Sequence, residues 1–485
     1  MNKKLILSIF FTIVYAIITI IAVLHHEVWA DEVQVWQICK HLSLPELFNQ
    51  LHNEGHPALF YLIVYPFAKL TSNIFYMQLI CWISMCFAVF LLLYKSPFNV
   101  FAKFSIVTSA GFLYFLPVMA RNYAIIPVLM FIAAILYSKQ KQYPGIYAVI
   151  VALIANTHSF MFAFAFILFV YFVYDNIFLP LKNKSNIIKE NIISSVILLF
   201  GICTVIWQVS GSSSSNVFLH HKTDFLLPRI LNVICNFFIK AYNTNTSEMN
   251  IIDMSISAFI AVLFFVCLIK LFKNKRLFAL AFSSIGFQFL IYFFIYDMVY
   301  VTRIFLAFII LIFCLWVMLY NTEDKKNNKS VCIILGLIFL FTANNGLESY
   351  ALDIDKKYSC AEDVAKYIVE NVDNNAVILA AIESTMIPVA YNLEKENRYL
   401  MSAVRKKPLK YVVWDDKCVI VLSVDSWENC AKYYSELYPN SDIYVLRNIS
   451  RFYDSSLNDR FETVYVSSDC IDKFEKYILY KFKKN

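Results

Sequence analysis

LILSIFFTIVYAIITIIAVL, residues 5–24, runs directly into HHEVWADE, residues 25–32. The first stretch carries no charge and has the length of a helix that crosses a bilayer, about 20 apolar residues. Lys3 and Lys4 precede it, as charges precede a signal peptide. The run is longer than an ordinary signal h-region, however, and no small-residue cleavage site stands before His25. It reads as a retained transmembrane helix that delivers an acidic pair, Asp31-Glu32, to the far side of the membrane.

The rest of the chain follows the same pattern. Its 485 residues are 60% hydrophobic and 16% charged, with a mean hydropathy of +0.60. A soluble domain is about 45–50% apolar and about 25% charged. Further spans are predicted at Asn73–Tyr94, Phe101–Pro117, Tyr123–Ser138, Gly145–Asn156, Ser159–Leu179, Asn191–Val209, Ile251–Ile269, Leu277–Tyr296, Ile304–Tyr320 and Val331–Ala343. That makes about 11 helices, because lipid offers an unpaired backbone no hydrogen-bond partner. Gly145–Asn156 and Val331–Ala343 are the shortest. With the N-terminus in the cytoplasm, sixteen Lys and Arg fall inside and seven outside, counted up to residue 343. This positive-inside bias sets the orientation and leaves the C-terminal region extracytoplasmic. The net charge of +7 is therefore mostly a topology signal, and nucleic acid is not an expected partner.

Three regions result. Residues 1–343 form the membrane body, and its first outer loop, residues 25–72, is unusually long. That loop reads as helices over Glu32–His41, Leu44–His52 and Pro57–Leu70, the last apolar but too short to span. A second outer loop, Ser210–Asn250, opens on Gly-Ser-Ser-Ser-Ser, the composition of a flexible segment. Residues 344–485 become more charged and alternate helix with strand. A helix is expected at Ala361–Glu370, a turn at Asn374-Asn375 and a strand at Ala376–Ala381. Strands at Cys418–Val424 and Asp442–Leu446 flank a helix near Glu428–Leu437. This is the pattern of a small α/β domain. Cys360, Cys418, Cys430 and Cys470 lie in it without the CxxC spacing of a metal site, and spacing alone assigns no disulfide.

Polar groups beside a membrane interior are costly and ask for a reason. Adjacent carboxylates such as Asp31 and Glu32 can deprotonate a hydroxyl or hold a divalent metal; the plain alternative is solvated loop charge. Glu54-Gly55-His56-Pro57 precedes the apolar Ala58–Leu62. A helix start explains Pro57 and Gly55, but leaves His56 as a group for phosphate or metal. In Met119-Ala120-Arg121-Asn122-Tyr123, Arg121 suits bidentate phosphate recognition, against a snorkelling role. Asn156-Thr157-His158 marks an outer turn, where a lone His is more often structural. Arg303, with Asp297 upstream, is either an anion site or a salt bridge. All of these fall on one predicted face, at the mouths of helices. No glycine-rich nucleotide loop is present.

In that order, the motifs resemble the GT-C glycosyltransferase superfamily, in its protein O-mannosyltransferase-like branch, which includes lipid A aminoarabinose transferases. Asp31-Glu32 resembles the acidic motif of the first outer loop. His56-Pro57-Ala58-Leu59 resembles a His-Pro-Pro-Leu element, with Ala58 for the second Pro. Arg121-Asn122-Tyr123 resembles an Arg-x-Tyr stretch. Thr157-His158-Ser159 resembles a Thr-His-aromatic turn, with Ser159 for the aromatic. Arg303 resembles an Arg before a late span. Tyr358–Tyr367 and Ala376–Leu379 resemble the start of an outer domain, and the likeness covers most of residues 1–380.

The resemblance implies an inverting membrane glycosyltransferase, a hexosyl- or pentosyltransferase, in a bacterial plasma membrane. The donor would be a polyprenyl-phosphate sugar. The acceptor would be a hydroxyl of a protein, lipid or polysaccharide, and membrane lipids would surround the site. Asp31 would be the general base. Glu32 would position the acceptor or share a divalent metal, Mg or Mn, with Asp31. Glu54, His56, Arg121, Tyr123, His158 and Arg303 would bind substrate. The rival reading is a transporter, flippase or binding protein for a lipid-linked sugar. A transporter favours polar sites near the membrane midplane and internal repeats; here the polar groups gather at one face.

Overall fold

The structure, a computed structural model, describes residues 3–484 apart from 185–187, 211–225, 245–248, 296–298, 322–324, 381, 416, 419–421 and 450–458. It is mainly helical, with a small sheet near the C-terminus. Among the described residues, eight helices are long and apolar enough to cross a membrane, and each overlaps a predicted span. They are Lys3–His25 (α1), Phe75–Lys95, Ser159–Lys182, Lys189–Val209, Ile251–Leu271, Lys275–Phe294, Val301–Tyr320 and Asn328–Asp355. Val301–Tyr320 is buried along almost its whole length and forms the centre of the bundle. The peripheral helices turn Ile, Leu and Phe outward, Phe10, Phe200 and Phe282 among them.

The other three predicted spans are not long helices. Phe101–Pro117 is broken. A helix ends at Thr108, Ser109 is extended, and a π-turn covers Gly111–Phe115. The helix ending at Asp355 packs against the break. A Cβ on Gly346 would stand 2.6 Å from the Ala110 Cα, the small-residue contact by which membrane helices approach. The Tyr15 hydroxyl donates to the Phe112 carbonyl at 2.6 Å, satisfying backbone in the broken stretch. Asn122–Tyr137 and Pro144–Ala155 are shorter apolar helices, each below the length of a simple span. The helix expected over Val331–Ala343 instead continues to Asp355, through the boundary expected between residues 343 and 344.

The first outer loop folds as three helices: Ala30–His41 (α2), Leu44–Glu54 (α3) and Leu59–Leu70 (α4). Gly55 ends α3 with φ of +65°, a left-handed conformation that glycine adopts without strain. The Gly-Ser-Ser-Ser-Ser segment lies outside the described residues. The same loop also holds a helix, Leu226–Tyr242.

Beyond Asp355, five strands form one sheet: β1 (Val377–Ala380), β2 (Leu400–Ser402), β3 (Ile443–Asn448), β4 (Phe461–Val466) and β5 (Tyr477–Phe482). Their order is β2-β1-β3-β5-β4. β1 pairs in parallel with β2 and β3, whereas β5 pairs antiparallel with β3 and β4. Helices Ala361–Asn371 and Val424–Leu437 match expectation. The strand expected at Cys418–Val424 falls partly outside the described residues; Cys418 itself is in a turn and Val424 opens a helix. All the cysteines are free thiols.

This α/β unit packs on the same end of the bundle as the first outer loop. Gln34 of α2 pairs with the Val412 backbone through both amide atoms, donating and accepting at 2.8 Å. Lower on α2, Gln37, Lys40 and His41 all meet the Glu394 carboxylate, at 2.9, 3.2 and 3.1 Å.

Candidate active site

A cavity of about 750 Å³ opens where α2, α3 and the bundle meet. One wall is apolar and comes from the membrane helices: Phe162, Val205, Ile206, Phe287, Leu290, Ile291 and Phe294. The opposite wall is polar and includes Asp31, Gln34, Glu54, His56, Arg121, His158 and Arg303. Of the eight residues picked out from the sequence, six therefore line one cavity. They come from five separate stretches of chain, and the turns that end helices aim them at one place.

Arg121 lies at the centre. Its Nη1 donates to the Asp31 carbonyl at 2.5 Å and lies 3.2 Å from the Asp31 carboxylate. Its Nη2 is 3.3 Å from His56 Nε2. A guanidinium only donates, so Nε2 accepts and the His56 proton sits on Nδ1. That Nδ1 is buried and has no partner among the described residues. Burial, with Arg121 and Arg303 nearby, holds the His56 imidazole well below its ordinary range, as a neutral ring requires.

His158 is set by the same logic. The Phe160 amide donates to its Nδ1 at 3.0 Å, so Nε2 carries the proton and faces the Tyr123 hydroxyl at 3.3 Å. Arg303 Nε donates to that hydroxyl at 3.1 Å. Burial, then His56, Arg303 and Arg121, push the His158 pKa well down. Two guanidinium cations and two neutral imidazoles thus share one end of the cavity. Tyr123 is 3% exposed and does not line the cavity; it ties His158 to Arg303.

Asp31 and Glu32 part company. Asp31's side chain is 39% exposed, toward the cavity. Glu32's is wholly buried on the other side of α2. Successive helical residues point about 100° apart, and the two carboxylates follow that rule. Glu32 accepts from the Trp29 amide at 3.1 Å, from the Ala120 amide, and faces His26 Nε2 at 3.2 Å. His26 Nδ1 in turn meets Asp353 at 2.8 Å, and Asp353 accepts from the Tyr114 hydroxyl at 2.8 Å. Glu32 was expected to work beside Asp31, on acceptor or metal; in the structure it faces backbone amides and His26. Its oxygens are committed to backbone and His26, so the pair does not offer two oxygens to one ion. Among the described residues no group of three His, Cys, Asp or Glu has the arrangement of a metal site.

Glu54 also lines the cavity. It accepts from Gln34 at 2.9 Å, Gln50 at 2.8 Å, Trp414 Nε1 at 3.3 Å and the Tyr61 hydroxyl at 3.4 Å. Burial carries its pKa up to about 7 against those bonds and Arg121. Asp297 lies outside the described residues. Sequence reading missed Gln34, His52 and Trp414, which also line the cavity. Gln34 was within reach, because it follows Asp31 by three residues and so shares its helix face. Trp414 lies 360 residues from Glu54, and no local pattern points to it.

No family model matches this chain, and no curated protein matches it.

Proposed function

We propose that this protein is a membrane glycosyltransferase of GT-C type, which moves a sugar from a polyprenyl-phosphate donor to an acceptor hydroxyl. One observation carries the reading. A single cavity joins an apolar membrane wall, a cluster of Arg121, Arg303, His56 and His158, and the half-exposed carboxylate of Asp31. A lipid-linked phosphate has the same division: an apolar chain, an anion and a polar head.

The chemistry follows from the groups. Asp31 takes the proton of the acceptor hydroxyl as its oxygen attacks the anomeric carbon from the face opposite the phosphate. The bond between that carbon and the phosphate oxygen breaks with inversion, and the electron pair leaves on the phosphate. Arg121, Arg303 and the His56 Nδ1–H meet the growing charge, and such preorganised donors act strongly where water is excluded. No step is assigned to a metal. The positive-inside bias favours this end of the bundle lying outside the cytoplasm, and the resemblance points to a bacterial plasma membrane.

The test is transfer of radiolabelled sugar from a panel of synthetic polyprenyl-phosphate sugars by purified protein and its Asp31→Asn variant. Transfer or donor hydrolysis by the wild type, falling by about 10²–10⁴-fold in the variant, is the expected result for a lost general base. A donor that binds tightly to the wild type and is never consumed would overturn the enzyme reading and favour a transporter or binding protein.

A further inference from the structure

Two cysteines far apart in the chain meet in the α/β domain. Cys360 is the N-cap of the helix Ala361–Asn371, and Cys470 stands ahead of β5. The two lengths of chain run side by side. The Ile471 amide donates to the Lys357 carbonyl and the Asp472 amide to the Tyr358 carbonyl, both at 2.9 Å. The Cys360 amide and the Cys470 thiol both donate to the Glu475 carbonyl, at 3.2 and 3.5 Å. Cys360 Sγ reaches the Ser468 carbonyl at 3.4 Å. Hydrogen bonds thus hold the two thiols together without a covalent bond, and both are free.

Their acidities are paired as well. The Cys470 thiol, helped by Ser467 and Ser468, holds the Cys360 thiol down to about 6 against burial. Cys360 in turn holds Cys470 up. Elsewhere in the domain, burial pushes the Cys418 and Cys430 thiols up. A thiol that ionises readily, at a helix N-terminus and beside a second thiol, is the attacking group that disulfide exchange needs.

We propose that Cys360 and Cys470 form a disulfide that braces Glu475 against the first turn of α2. The oxidant is an external disulfide, carried by a protein or a small thiol. The Cys360 thiolate attacks one of its sulfurs and expels the other. Cys470 gives up its proton, attacks Cys360 Sγ and expels the second sulfur. Two electrons and two protons end on the external pair, which leaves as two thiols. Cys360 is 0% and Cys470 5% exposed, so exchange comes before the domain is fully packed, and the closed bond is shielded from reductant. It fixes the turn Lys473–Glu475 to the helix Ala361–Asn371. The Glu475 carboxylate accepts from the Ala30 amide at 2.7 Å, one residue before Asp31. Disulfides persist in oxidising compartments, so the proposal rests on the α/β domain lying outside the cytoplasm.

The experiment uses the full chain in its own membrane. Cells are quenched in acid, and the protein is alkylated with N-ethylmaleimide in denaturant and digested without reductant. Mass spectrometry is expected to find the Cys360 and Cys470 peptides joined, lighter by two hydrogens than the separate pair. In detergent, amide exchange over residues 30–33 is expected to be faster in Cys360→Ser and in Cys470→Ser than in the wild type. Separate alkylation of the two residues overturns the disulfide. A joined pair with unchanged exchange in both variants overturns the brace. The placement is read on its own, by a membrane-impermeant maleimide on spheroplasts carrying Lys366→Cys, a position whose side chain is 72% exposed. A labelled Lys366→Cys with Cys360 and Cys470 alkylated separately removes the disulfide alone. An unlabelled one removes the outside placement as well.

Discussion

The two sides of α2 differ in kind. On the cavity side, Asp31 is partly open, His56 Nδ1 lacks a partner among the described residues, and two neutral histidines stand among two guanidinium groups. On the other side, Glu32, His26, Asp353 and Tyr114 form a chain of hydrogen bonds with no side-chain exposure at Glu32, His26 or Asp353. The first arrangement faces the cavity. The second ties the start of α2 to the helix that ends at Asp355 and to the turn at Ala120. From the α/β domain, Glu475 adds a bond to the Ala30 amide at 2.7 Å. One side faces the cavity and the other is tied into the fold.

The largest effects should separate these sides cleanly. Asp31→Asn is expected to cost about 10²–10⁴-fold in turnover with thermal unfolding in detergent unchanged. Glu32→Ala is expected to cost about 3–5 kcal/mol of stability, because it strands the other members of a buried charged network. Thermal melts and turnover on both variants check this. A Glu32→Gln protein that melts like the wild type and yet has lost all turnover would break the comparison and return Glu32 to the chemistry.

Arg121→Lys comes next. A lysine keeps the charge and loses the fork that spans Asp31 and His56. Donor KM should rise by about tenfold or more, the loss of one charge-assisted bond of about 1.5–3 kcal/mol. Donor titrations at fixed acceptor measure it. An unchanged KM would mean that the anion is held elsewhere.

Much of this was legible in the chain, and the reason is physical. Membrane helices announce themselves by length and apolarity, and the eight longest apolar helices fall where expected. The stretches at 101–117, 123–138 and 145–156 are broken or shorter helices, and in the first Gly346 packs against Ala110. Composition does not record such contacts. Of the site, the groups of unusual cost for a membrane face were legible: Asp31, His56, Arg121, His158 and Arg303. Asp31 and Glu32 look alike as adjacent acids in a sequence, and only the phase of α2 parts them. Asp353 and Trp414 were not visible, since each acts through a contact more than 300 residues away.

A pH series sharpens the buried side. Burial alone would push the His26 pKa down, but Glu32 and Asp353 outweigh it and carry it up to about 10. A group raised in the folded state stabilises fully below its unfolded pKa of about 6.5, and that contribution fades as pH climbs through the folded value. Stability should therefore decline between about pH 7 and pH 10. A His26→Gln protein should start lower and lose less over the same range. Denaturation at several pH values reads both curves, and parallel curves would remove His26 from the network's charge balance.

The smallest effect belongs to the far end of α2, where neither side of the comparison reaches. Glu394 of the α/β domain accepts from Gln37 and meets His41 and Lys40. Burial acts to raise its pKa, but these partners prevail and lower it to about 2. Its contribution is present above the unfolded value of about 4.3 and is lost as pH falls through the folded one. The carboxylate is 14% exposed, and such a surface contact is worth about 1 kcal/mol or less. Glu394→Gln should shift the melt by that amount near neutrality, narrow the gap to wild type in acid, and leave turnover intact. A loss as large as that of Glu32→Ala would mean that α2 is held mainly by the domain beside it, and that the buried chain from Glu32 to Tyr114 is secondary.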